Sequence, residues 1–176
     1  LNWRAKADEI DYCLADAEVK AVFFDASSEE ATRASGAARE LPRIGVGPLE
    51  GSDATCDWEA LLAGPASPLQ TAADAEDLSL MLYSSGTTGK PKGVPRRHRQ
   101  ERAAALAHVA QNLYRRGERT LGVMPLYHTM GVRSLLAMAL VDGVFVCMPR
   151  FDTQEALVLI EAERLTCLYL VPTLYH

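Results

Sequence analysis

The sequence predicts a layered α/β sandwich with a largely parallel sheet. Three observations predict it. Segments with helical apolar spacing alternate with short apolar runs of strand length. A loop rich in glycine and hydroxyl side chains, Ser84 to Gly93, follows directly on one such run, as ligand-binding loops at the carboxyl edge of α/β sheets do. The last run, Thr166 to Val171, is apolar at almost every position, the pattern of a strand buried on both faces.

Taken in order, Ile10, Cys13, Leu14 and Ala17 recur at helical spacing and predict an amphipathic helix. Val19 to Phe24 predicts a short strand, closed by Asp25 and serines. An alanine-rich polar helix is expected from Ser28 to near Gly36, and a weak strand from Arg43 to Val46. Between Gly47 and Asp77 the pattern is poor, with one or two helical turns at most around Trp58 to Leu62, so this stretch reads as a connector. The organisation expected is thus an α/β segment over 1–46, a connector over 47–77 and a second α/β segment over 78–176. In the latter, Leu78 to Tyr83 is a strand that leads into the glycine loop. Glu101 to Tyr114 is a helix with Leu106, Val109, Ala110 and Leu113 on one face. Thr120–Met124 and Gly143–Met148 are strands, His128–Leu140 and Thr153–Glu163 helices.

With 176 residues the chain has room for one domain and not clearly for two. Apolar residues make up 48 %, which is enough for a core and sets a disordered polymer aside. A net charge of −5, with one short basic run at Arg96-Arg97-His98-Arg99 and Arg102, does not suggest a nucleic-acid partner. That run reads as a solvated helix start or as a local attraction for an anion. Cys13, Cys56, Cys147 and Cys167 show no metal-binding spacing, so no metal site is expected from them. Three of them, Cys13, Cys147 and Cys167, lie in apolar runs and are expected to be core residues, in a cytoplasmic setting. The most apolar stretch, Val132 to Met148, is interrupted by Arg133, Asp142 and Gly143 and falls short of a membrane span. Both ends look cut, and a fragment is expected.

The glycine loop carries the chemistry. Ser84-Ser85-Gly86-Thr87-Thr88-Gly89-Lys90-Pro91-Lys92-Gly93 holds four hydroxyls, three glycines and two lysines. Glycines let the backbone turn and bring its N–H groups close to an anion. Hydroxyls rotate to suit phosphate oxygens, and a lysine adds a compact positive charge. The spacing is not that of a P-loop: only Thr87 and Thr88 separate Gly86 from Gly89-Lys90, and Pro91 follows. A flexible surface turn is the plainer reading of the same composition.

The ordered string Tyr83 to Val94, YSSGTTGKPKGV, resembles the signature loop of the AMP-forming adenylate superfamily, which includes acyl- and aryl-CoA synthetases, peptide-synthetase adenylation domains and luciferases. Met124 to Gly131 resembles the family's second core motif, and Phe151-Asp152 through Thr173 its next strand–helix–strand unit. Leu1-Asn2, Glu9-Ile10 and Leu14 to Asp16 resemble the segment upstream of the loop, so the likeness covers nearly all of the chain. It implies part of the large N-terminal domain of an ATP-dependent ligase that joins a small-molecule carboxylate to AMP and passes the acyl group to coenzyme A, with magnesium. Ser84 through Lys92 would wrap the β- and γ-phosphates, with Thr87 and Thr88 as donors and Lys92 nearest the departing pyrophosphate. His128, with Tyr127 and Gly131, would line the acyl pocket and orient the carboxylate.

Each residue also has a plainer reading. Lys90 can be merely exposed, Ser84 can finish the strand, Tyr127 can pack, and His128 can sit at a helix start. His98 and His108 are expected on a surface or in packing. The family's adenine, magnesium and ribose segments and its C-terminal lysine are expected beyond His176, so the chain by itself is expected to lack ligase activity. Open apolar edges would favour self-association. A non-catalytic nucleotide- or phosphate-binding module and a peptide-synthetase adenylation domain remain the alternatives, with a P-loop NTPase behind them.

Overall fold

A computed structural model describes residues 1–49, 51, 54–66, 68, 72–84 and 90–174. The chain forms two compact units: Leu1–Ala73 with Tyr83–Val94, and Asp74–Leu82 with Pro95–His176.

The first unit opens with helix α1, Ala7–Asp16, which buries Ile10, Cys13 and Leu14, three of the four residues that predicted it. Asp8 and Glu9 in its first turn complement the positive end of the helix dipole. Strand β1, Val22–Phe24, leads to α2, Glu29–Ala34, and α3, Gly36–Arg39. After β2, Arg43–Gly45, the chain adds β3, Cys56–Asp57, and α4, Trp58–Leu62. The three strands pair in parallel in the order β1-β2-β3, with Val22 opposite Arg43 and Ile44 opposite Cys56. Ile10, Leu14 and Ala38 form the core.

The helix expected from Ser28 is divided here. Ser35 is extended (φ −69°, ψ 124°), and its Oγ accepts from the Ala38 amide at 3.0 Å. A serine that offers its own oxygen to a helix start ends one helix and caps the next. The helical turns expected around Trp58 to Leu62 are present as α4, whereas β3 was not expected, because a strand of two residues is too short to leave a pattern.

Strands β4, Leu78–Ser84, and β5, Lys92–Arg97, form a two-stranded sheet, and the division between the units falls within each strand. The second unit continues with α5, His98–Gln111; β6, Arg119–Gly122; α6, Thr129–Leu140; β7, Val144–Cys147; and α7, Thr153–Ala162. β6 and β7 are parallel, with Thr120 opposite Phe145 and Gly122 opposite Cys147. Asp152 caps α7 by accepting from the Glu155 amide at 2.8 Å. Leu121, Met148 and Ala156 make one core cluster, and Ala137, Met138 and Val141 another. Among the described residues no helix is long and apolar enough to cross a membrane.

Three expectations are corrected. α5 does not bury its leucines: Leu106 is 49 % and Leu113 83 % exposed, while Glu101, Ala105 and His108 are buried. Polar partners turned the helix, because Glu101 pairs with Arg96 and His108 packs between aromatic rings. The run Thr166 to Val171 is not a strand; it makes a single bridge, Thr120 to Cys167, before a short 3-10 turn at Pro172–Leu174. Apolar composition specified contact there, not a ladder. Cys147 is exposed, not core. The basic run stands at a helix start and is largely exposed, as expected: Arg97 is the N-cap of α5, and Arg96, Arg97 and Arg99 also face carboxylates.

Candidate functional site

The loop's two stems belong to the first unit. Ser84 ends β4 and is exposed; Lys90 and Lys92 are exposed and Pro91 half-buried. Ser85, Gly86, Thr87, Thr88 and Gly89 lie outside the described residues.

Tyr83, just before the loop, reaches back to α1. Its Oη donates to Asp16 Oδ2 at 2.7 Å and lies 3.3 Å from the Cys13 carbonyl oxygen. Burial and the Asp16 carboxylate push the phenol above its usual range, so Tyr83 stays a neutral donor. At the other stem, Lys90 Nζ lies 5.7 Å from the centre of the Tyr12 ring, within cation–π range. Tyr12 and Asp16 are four residues apart and so share one face of α1. The sequence reading missed both. Their only local signal was an acidic residue at the wrong end of a helix.

The second motif stands in the second unit. His128 flanks the start of α6 in extended conformation (φ −116°, ψ 147°), and its ring makes no cap hydrogen bond. That ring is exposed, and its centre is 4.6 Å from the Tyr127 ring, tilted by 57°. The His128 amide donates to the Pro125 carbonyl at 3.0 Å, which fixes the turn. Gly131 is buried, and the Met124 and Pro125 carbonyls occupy the space that a side chain would need. The structure therefore joins Tyr127, His128 and Gly131 in one turn.

A polar cluster lies under α5. His108 is 6 % exposed, with the rings of Tyr169 and Tyr114 edge-on at 4.7 and 5.5 Å. Burial, aided by the Arg133 charge, lowers its pKa and keeps it neutral. This places it in packing, as expected for a helix histidine. Among the described residues no group of three His, Cys, Asp or Glu could hold a metal ion. An open cleft of about 510 Å³ in the first unit, lined in part by Trp3, Phe24, Asp25 and Thr32, includes none of the predicted site residues.

Parallel strand pairs flanked by helices define an α/β protein. The chain belongs to the AMP-binding enzyme family, whose model matches residues 1–176. It is 39 % identical over 103 residues to a 4-chlorobenzoate–CoA ligase of Pseudomonas sp. (strain CBS-3), an alignment covering 57 % of this chain and 20 % of that protein. The chain thus spans about a fifth of the length of the curated relatives it matches. Among solved structures it resembles the inhibitor-bound N-terminal domain of FACL13 from Mycobacterium tuberculosis, with TM-score 0.83, 27 % identity and coverage of 99 % of this chain and 43 % of that one. ATP-bound MatB from Rhodopseudomonas palustris is similar at TM-score 0.79 and 29 % identity, over 99 % of this chain and 34 % of that one.

Proposed function

We propose that residues 1–176 form part of the N-terminal domain of an ATP-dependent carboxylate–CoA ligase that works in the cytoplasm. The observation that carries this reading is the ordered loop string between β4 and β5 in a chain matched along its whole length by the AMP-binding family.

The donors fit a triphosphate. Ser84 and Lys92 are exposed at a strand end and a strand start, and Thr87, Thr88 and the loop amides add donors in sequence between them. The carboxylate oxygen attacks the α-phosphorus of ATP, the bond to the bridging oxygen breaks, and pyrophosphate departs with the electron pair. Lys92 opposes the charge that grows on pyrophosphate, so it favours the transition state over the ground state. His128 orients the carboxylate beside Tyr127. In the second step a thiolate attacks the acyl carbon and AMP leaves. Magnesium would accompany the phosphates and neutralise their charge; no step here runs through a protein-held metal. Aromatic acids are the first substrate class to test, given the chlorobenzoate relative.

The test is ATP–pyrophosphate exchange in the complete reading frame that contains this chain, with benzoates and fatty acids as substrates. Exchange should depend on acid. Lys92→Ala should lower kcat by about 100- to 1,000-fold, as loss of a transition-state donor does. His128→Ala should act mainly on KM for the acid. Absence of exchange with every acid would sink the reading. Residues 1–176 alone should release no pyrophosphate above background, and turnover by them would overturn that part.

A further inference from the structure

Both stems of the loop are tied to one face of one helix. We infer that Asp16 and Tyr12 of α1 are positioning residues for ATP: Asp16 fixes Tyr83 where the chain enters the loop, and Tyr12 holds Lys90 where it leaves. This rests on the ligase reading above, and it concerns residues outside the loop motif.

Three observations support it. First, Asp16 is the last residue of α1, with no basic residue in that turn. A carboxylate there opposes the helix dipole, so the local rule is broken without a local gain. The gain is distant: a 2.7 Å hydrogen bond from a tyrosine 67 residues further along the chain. Second, the phenol's single proton has two acceptors in reach, Asp16 Oδ2 at 2.7 Å and the Cys13 carbonyl at 3.3 Å. The shorter contact, to a charged oxygen, is the stronger. Third, α1 is itself a firm support, because Ile10 and Leu14 are in the core. An anchor on a helix whose other face is packed in the core transmits its position, whereas one on a surface turn does not.

The two contacts differ in strength, and that difference suits their tasks. The Tyr83–Asp16 bond is short and charge-assisted, so it sets the position of the strand end. Lys90 sits near the outer limit of cation–π range on an exposed side chain. It is held loosely and can transfer to a phosphate oxygen without losing much.

The experiment compares Asp16→Ala, Asp16→Asn, Tyr83→Phe and the double variant Asp16→Ala/Tyr83→Phe with the wild type in the complete protein. Asp16→Ala and Tyr83→Phe should each raise KM for ATP about tenfold, the scale of one lost charge-assisted hydrogen bond. KM for the carboxylate should not change. The double variant should be no worse than either single one, and Asp16→Asn, which keeps an acceptor, should recover part of the loss. Tyr12→Leu should give a smaller rise in the same constant. A fall in Tm with unchanged KM for ATP would overturn the inference, since that is the mark of a merely structural contact. If the wild type shows no exchange with any acid, the ligase reading fails. Amide exchange over Leu82–Ser84 and Lys90–Gly93 then decides the anchoring separately: faster exchange in Asp16→Ala and Tyr83→Phe supports it, and unchanged exchange rejects it.

Discussion

The carbonyl oxygen of Pro125 lies 2.3 Å from the point that a β-carbon on Gly131 would occupy, and that of Met124 lies 2.5 Å from it. Both obstacles are backbone, so neither can swing aside. Gly131→Ala must push the Met124–His128 turn away from α6. The expected cost is about 1–3 kcal/mol, the range for overpacked sites, read by urea denaturation. The variant should also raise KM for the acid, because the turn carries His128.

A similar approach occurs in the β6–β7 pair, with a different outcome. A β-carbon on Gly122 would lie 2.2 Å from Phe145 Cε1, a side-chain atom. Gly122→Ala should therefore destabilise by about 1–3 kcal/mol. Phe145→Leu in that background should restore part of the loss. Strict additivity of the two changes in denaturation midpoints would refute the contact.

His108 gives the second unit a pH response. Its folded pKa is below the ordinary value of 6.5, chiefly through burial. The unfolded chain therefore binds the proton more readily, and stability falls as pH drops from above 6.5 toward the lower folded value. Below that value the effect levels off. His108→Gln, which stays neutral, should flatten this part of a stability–pH profile, and an unchanged profile would count against the assignment.

In the first unit the sign is the same and the window lies at lower pH. Asp11 accepts from Ser35 Oγ at 2.5 Å and from the Ala37 amide at 2.9 Å, which lowers its pKa below 3.8. The stability this supplies is present above that ordinary value and is lost as pH falls through the folded one. Ser35→Ala removes the principal donor to Asp11 and the α3 cap together. It should cost about 1–2 kcal/mol at neutral pH. The difference from wild type should shrink in acid, as measured by thermal unfolding at a series of pH values.

The family was legible because its signature is local. Glycines, hydroxyls and lysines stand in one ordered string, Tyr83 to Val94, in a chain that the family model matches throughout. α1 was legible for a similar reason: its three buried residues follow helical spacing. α5 was not. Its leucines marked one face, but the buried face is Glu101, Ala105 and His108, chosen by partners on β5 and beyond the helix's end. Periodicity reports which residues prefer burial, and it cannot weigh that preference against a buried ion pair.

The sequence by itself determined the alternation of helices and strands and the family, because each is written in contiguous residues. Only the tertiary structure decided which distant residues meet the two stems of the loop and the second motif. Asp16 stood only in a segment that resembles the family until Tyr83 was placed against it, and Gly131 was one more motif glycine until the Pro125 carbonyl filled its side-chain space. Hydrogen bonds and steric exclusion act over a few ångströms, and chain order does not record which distant residues come that close.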